Sequence, residues 1–192
     1  MISRIISNVL TALYQPFWFA LILSVLFMFE YKSYNSIKQA VKEWMLWFKS
    51  DVKFRRTFFL VFYTVMILFR TLLNRNMWEN PLSDVIGIWG IYNAKGELTT
   101  ECIENLALFI PFTILLMWTA KEKILQRMTI GSVLWNSTKI TFLSSFAIEM
   151  LQLFLRVGTW QLSDLFYNTL GGTIGGLIYY IGYKIKYRGK TI

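Results

Sequence analysis

The 192-residue chain has no histidine, one cysteine and three prolines, and its 11 acidic residues are outnumbered by 20 basic ones. Without histidine there is no imidazole acid–base catalyst, no Ser-His or Cys-His nucleophile and no common zinc site. The single thiol, Cys102, permits neither an intrachain disulfide nor a cysteine metal cluster. It reads as an inert residue near a membrane interface. Any chemistry would fall to carboxylates, amides, hydroxyls and arginine, and neither a metal nor a cofactor is expected.

What the chain has in excess is apolar surface. Sixteen Phe, ten Tyr and eight Trp exceed what a soluble core of this length can bury. About 20 apolar residues cross a bilayer core as a helix, and the runs here are long enough for an all-α polytopic membrane protein. It is expected to form one membrane domain over residues 1–192. Five spans are expected: Asn8–Phe29, Thr57–Leu73, Asn105–Thr119, Ser132–Leu155 and Leu165–Tyr183. Pro16 either kinks the first or marks its ordered start. That span resembles a signal peptide in hydropathy, but it carries one basic residue, Arg4, with no small-residue cleavage site after it, so it is expected to be retained.

The net charge of +9 does not point to nucleic acid here, because in a membrane protein the distribution of charge matters more than its sum. Residues 31–56 carry Lys32, Lys38, Lys42, Lys49, Lys53, Arg55 and Arg56. Residues 120–131 carry Lys121, Lys123 and Arg127, and the tail ends with Lys184, Lys186, Arg188 and Lys190. The intervening connections are poor in basic residues, with Arg75 and Lys95 in one and Arg156 in the other. Basic loops stay in the cytoplasm, so the expected topology has the N-terminus outside and the C-terminus inside. Lys139 can snorkel to an interface from the fourth span.

Within the first basic loop, Ile37, Ala40, Val41, Trp44, Met45, Phe48 and Val52 recur at helical spacing among lysines. The pattern predicts an amphipathic helix on the inner leaflet, serving as an interfacial anchor or as a lipid- or partner-sensing element. In the connection 74–104, two β-prone runs flank NAKG and suggest a short hairpin. Trp89 and Tyr92 could equally lie in an aromatic belt at the headgroups.

The fourth span holds polar residues at a regular interval. Ser145, Glu149, Gln152 and Arg156 are spaced i, i+4, i+7, i+11 and share a helix face. Asp164, Asn168, Gly171, Gly172 and Gly175 share a face of the fifth. With the expected topology these polar residues, Asn105 at the start of the third span and Arg70 near the end of the second all fall in the outer third of the membrane. The glycines allow close approach of the fourth and fifth helices. A charge at a helix centre costs roughly 2.5–3.5 kcal/mol on insertion scales, so Glu149 must face protein or water. Arg70 and Arg156 are its expected partners. Two readings follow: a salt-bridge and amide network that holds helices together, or a water-accessible pocket for a polar or anionic group. Both can hold at once.

Three segments carry a family resemblance: ENLALFIPF, SSFAIEMLQLFLRVGTWQLSD and LFYNTLGGTIGG. They resemble the VanZ-like family of bacterial membrane proteins, associated with resistance to teicoplanin and related lipoglycopeptides. The family's Asn before F-x-P-F falls on Asn105, Phe109, Pro111 and Phe112. Its Ser-x-x-x-Glu-x-x-Gln element falls on Ser145, Glu149 and Gln152, and its Asp-x-x-x-Asn-x-x-Gly-Gly element on Asp164, Asn168, Gly171 and Gly172. The match covers about residues 100–182, and residues 1–100 match only loosely, mainly in hydropathy. Before Asp164 the family usually shows phenylalanine–aspartate–x–aspartate–aspartate, whereas this chain has Trp160-Gln161-Leu162-Ser163-Asp164. Two missing carboxylates weigh against cation binding at that turn. The resemblance implies the plasma membrane of a Gram-positive bacterium and a role in glycopeptide tolerance.

The expected ligands of the pocket are membrane lipid head groups, a lipid-linked cell-wall precursor or the lipoglycopeptide itself. The residues expected to hold them are Glu149, Gln152, Arg156, Asp164, Asn168, Asn105, Ser145 and Arg70. The alternatives are a membrane enzyme using Glu149 as acid or base on a lipid or wall intermediate, and a small lipid transporter. The chain shows no inverted repeat that would support transport.

Overall fold

The computed structural model describes residues 2–30, 37–77, 79–93 and 95–187. Lys32, Arg188 and Lys190 of the basic segments, and Ala94 of NAKG, lie outside the described residues. These residues form seven α-helices and no strand: α1 (Ile2–Tyr14), α2 (Phe17–Glu30), α3 (Ile37–Ser50), α4 (Val52–Leu68), α5 (Glu101–Ile124), α6 (Ile130–Leu155) and α7 (Leu162–Lys186). One π-helical turn, Phe69–Leu73, extends α4.

Among the described residues three helices are long and apolar enough to cross a membrane: α4 with its π turn (Val52–Leu73), α5 and α6. α7 has 25 residues, but its glycines, tyrosines and Asn168 make it less apolar. The expected first span, 8–29, is not one helix. It breaks at Gln15–Pro16 into α1 and the 14-residue α2. Proline has no amide hydrogen and its ring clashes with the preceding turn, so an apolar run that reads as continuous folds as two pieces.

The predicted amphipathic helix is α3. Its apolar stripe divides. Trp44 and Phe48 pack against the buried cluster of Met28, Phe54 and Phe58, with Trp44 and Phe48 stacked at 5.2 Å. Val41, Met45, Leu46 and Trp47 remain exposed beside the lysines. α3 thus docks on α2 and α4 and still presents an apolar and basic surface outward. Asp51 stops it and caps α4, its carboxylate accepting from the amides of Lys53 (2.7 Å) and Phe54 (3.2 Å).

The bundle is built around α7. Asn168 and Gly172 of α7 meet Ser145 and Thr141 of α6, and Gly176 meets Ser137, so these two helices run antiparallel. Asp164, Gly171 and Gly175 meet Asn105, Leu106 and Ile110 of α5, so α5 and α7 run parallel. The glycines were expected to bring α6 and α7 together; they also seat α5. α4 is antiparallel to α5. An Arg70–Glu104 ion pair ties one end, Tyr63 Oη donates to the Leu108 carbonyl (2.9 Å) in the middle, and Thr119 Oγ1 donates to the Arg56 carbonyl (3.2 Å) at the other. Consequently the last turns of α4 and α6 and the first turns of α5 and α7 share one end of the bundle.

The connection 74–100 folds over that end. Backbone amides of Gly158, Trp160 and Leu162 each donate at 2.9 Å to the carbonyls of Asn76, Pro81 and Val85. The turn between α6 and α7 is thereby fixed against a distant segment. Around NAKG the chain forms an isolated Tyr92–Leu98 bridge rather than a stranded hairpin. Trp89 lies against Phe166 (5.2 Å) of α7.

Candidate functional site

Polar side chains at this end fall into two tiers. The upper tier lines an open cavity of about 410 Å³ whose wall includes Arg70, Arg75, Glu101, Asn105, Gln161 and Asp164. Asn74 and Asn76 add amides to its rim. The lower tier is closed: Ser145, Glu149, Gln152 and Asn168 are each buried and lie beneath the cavity wall.

Four of the upper-tier side chains, Arg70, Asn105, Gln161 and Asp164, are held by specific partners. Arg70, in the π-helical turn, pairs with Glu104, and Glu104 also accepts from the Thr100 hydroxyl. Asn8 of α1 donates to Thr100 Oγ1 (2.8 Å), and Asn74 Nδ2 donates to Gln15 Oε1 (2.8 Å). These two bonds hold α1 and the break after it against the polar end. Asn105 Nδ2 donates to Asp164 Oδ1 at 2.6 Å, both residues being under 9% exposed. Arg75 differs from Arg70: it is exposed, and among the described residues no carboxylate lies within 4.0 Å of it. Its charge nevertheless acts on both Glu149 and Asp164. It is the cavity's available cation.

Glu149 is 2% exposed, and its Oε2 accepts the Gln161 backbone amide at 3.1 Å. The Gln161 side chain donates to Asp84 Oδ2 and Thr159 Oγ1, both at 3.1 Å. Gln161 is therefore the joint between the tiers. Gln152 Nε2 donates to the Thr71 carbonyl (2.8 Å), across to the π-helical turn. Asn168 Nδ2 donates to Ser145 Oγ (2.9 Å). The carbonyl oxygens of Gln152 and Asn168 are buried without a hydrogen-bond partner in the structure.

Of the eight residues singled out from sequence, Arg70, Asn105 and Asp164 line the cavity. Ser145, Glu149, Gln152 and Asn168 form the buried tier below. Arg156 does neither. It ends α6 in the left-handed region (φ 54°), and its side chain is exposed away from the lining. Neither expected arginine pairs with Glu149: Arg70 takes Glu104, and a backbone amide serves Glu149 instead. Sequence reasoning passed over Arg75, Gln161 and Glu104. Arg75 had a signal, lying two residues after the end of a predicted span. Gln161 had none, because its role depends on Asp84 across 77 residues of chain.

Chemically, the upper tier offers a guanidinium for an anionic oxygen, amides of both polarities, and the Asp164 and Glu101 carboxylates for hydroxyl or amine donors. The first turns of α5 and α7 both open here, adding the positive ends of two helix dipoles. Residues 17–183 match the family model described as VanZ/LLP1. No curated protein and no solved structure matches the chain.

Proposed function

Because the chain belongs to the VanZ/LLP1 family, we propose that it contributes to resistance to teicoplanin and related lipoglycopeptides by binding a polar head group in the cavity beside Asp164. The head group belongs to an envelope lipid, a lipid-linked wall precursor or the lipoglycopeptide. One observation carries this reading. An exposed, unpaired Arg75 lines a cavity in which Arg70, Asn105, Gln161 and Asp164 are already positioned by hydrogen bonds. Preorganised partners lose little entropy on binding, and the one uncommitted cation is free for a phosphate or carboxylate.

The protein sits in the plasma membrane of a Gram-positive bacterium with the cavity facing outward. The charge distribution supports that orientation. Lys53, Arg55, Arg56, Lys121, Lys123, Lys184 and Lys186 cluster at the opposite end of the bundle. Binding there would withhold the target from the antibiotic or hold the antibiotic away from it. An enzymatic role for Glu149 is less favoured, because that carboxylate lies below the cavity rather than in its wall.

Arg75→Ala tests the reading, since among the described residues this exposed side chain makes no hydrogen bond or ion pair. In a glycopeptide-sensitive host, membrane abundance should match the parent's while the protection against teicoplanin is lost. A charge-assisted contact is worth about 1.5–3 kcal/mol, or roughly tenfold or more in affinity. A parent that protects no better than empty vector overturns the resistance role. A fully protective Arg75→Ala variant at normal abundance overturns the binding site.

A further inference from the structure

A second cavity, of about 370 Å³, lies at the opposite, basic end of the bundle between α4, α5 and α7. Arg56, Lys121 and Lys186 supply its cations, and Trp118, Tyr183 and Tyr187 supply aromatic faces. The Arg56 guanidinium sits 5.0 Å from the Trp118 ring centre, and Lys121 Nζ sits 4.7 Å from that of Tyr183. Tyr183 and Tyr187 lie 4.5 Å apart, and Lys186 Nζ is 5.7 Å from the second ring. No carboxylate lines the cavity, and among the described residues none lies within 4.0 Å of these three cations. Arg56 Nε is buried with no hydrogen-bond partner.

We infer that this cavity is a binding site for the phosphate head group of an anionic phospholipid in the leaflet at the basic end. Three cations converge from different helices and are held by ring faces rather than by counter-ions, an arrangement that orders them and leaves their charge to a ligand. A guanidinium suits a phosphate oxygen. The lipid source is favoured over free phosphate by the rest of the wall. Ile114 and Ile178 line the same cavity, and Ile178 is 46% exposed. An acyl chain can leave the cavity along that side into the bilayer. Basic cavities between membrane helices hold lipid head groups in this way. The site shares no lining residue with the cavity beside Asp164, and its test is independent of any antibiotic.

Gly182 provides a clean steric probe. It lines the cavity, and a Cβ built there meets nothing within 4 Å, so Gly182→Leu starts its side chain in open space and takes up part of the cavity with a better helix former. The full chain, purified in nonionic detergent, would be exposed to equimolar dioleoyl phosphatidylglycerol and dioleoyl phosphatidylcholine and examined by native mass spectrometry. One phosphatidylglycerol should be retained in clear preference to phosphatidylcholine, and glycerol 1-phosphate at the same concentration should not be retained. Lys121→Gln/Lys186→Gln should weaken retention by about tenfold to thirtyfold; Lys121→Arg/Lys186→Arg should keep it, and Gly182→Leu should abolish it at an unchanged melting midpoint. Equal retention of the two lipids overturns the site. Retention of glycerol 1-phosphate as strong as that of the lipid overturns the lipid assignment. Unchanged phosphatidylglycerol retention in both the lysine-to-glutamine and Gly182→Leu variants overturns the location.

Discussion

Gly171→Leu will prevent the protein from accumulating in a folded form. A Cβ at residue 171 would fall on the Leu106 carbonyl, which is backbone of α5 and cannot rotate aside. Gly175 stands in the same relation to the Ile110 carbonyl one turn later. Overpacking a core with side-chain neighbours costs about 1–3 kcal/mol, and occasionally more. Here the obstacle is main chain, so α5 and α7 must separate along the contact that joins them. Separation would also pull Asn105 from Asp164. Gly172→Ala should force α6 from α7 in the same way, because its Cβ would meet the Thr141 Cβ, which is fixed to the α6 backbone. Gly131→Leu is the matched control, since a Cβ there meets nothing within 4 Å. Membrane abundance and the melting midpoint in detergent measure the effect. A Gly171→Leu protein that melts with the parent would mean that α5 and α7 do not approach as described.

The second large effect is expected at the bond between Asn105 and Asp164. Asn105→Leu removes the donor 2.6 Å from Asp164 Oδ1 and leaves a carboxylate that is 8% exposed without it. Removing one partner of a buried charged contact costs on the order of 3 kcal/mol, mostly through the group left behind. Asp164→Leu in the same protein should recover much of that loss, because two apolar side chains of suitable volume leave nothing unsatisfied. The double-mutant cycle separates this from a volume effect. Equal destabilisation in Asn105→Leu and Asn105→Leu/Asp164→Leu would show that the hydrogen bond is not what matters. Both variants should lose ligand binding, since both residues line the cavity.

Much of the architecture was legible because a membrane leaves polar groups few places to go. Charges and amides cannot face lipid cheaply, so a shared helical face of Ser145, Glu149 and Gln152 already implied an interior. The polar residues of four helices do gather at one end. What stayed illegible had specific causes. Hydropathy does not register a missing amide hydrogen, so Pro16 could be marked only as a kink or a start, and the full separation into α1 and α2 was not foreseen. Adjacent glycines lie about 100° apart on a helix, so the pairs 171/172 and 175/176 face two neighbours rather than one. The split of the polar set into an open and a closed tier depends on the fold of residues 74–100, which has little periodicity of its own.

That fold also bears on the departure from the family's acidic turn. Gln161 and Ser163 stand where the VanZ-like pattern has aspartates. Gln161 donates to Asp84, so an aspartate there would set two carboxylates against each other. Ser163 is 1% exposed, and its Oγ lies where a Cβ on Gly87 would be. Gly87 has φ +72°, and its missing side chain is what admits the close approach. The carboxylate at this turn is supplied by the distant loop, and the local residues are shaped to receive it.

The widened turn at the end of α4 has a consequence for how the cation beside Asp164 is aimed. In Phe69–Leu73 the amide of Asn74 reaches back five residues to Phe69, while the Thr71 carbonyl bonds sideways to Gln152. An ordinary helix advances about 100° per residue, so a one-residue excess here swings everything beyond it through a sizeable arc. The direction of Arg75 therefore depends on the spacing of the chain as well as on the bonds that pin Asn74 and Asn76 on either side of it. Single-residue gains and losses just upstream, which a loop would absorb, would turn that guanidinium away even with every lining residue retained.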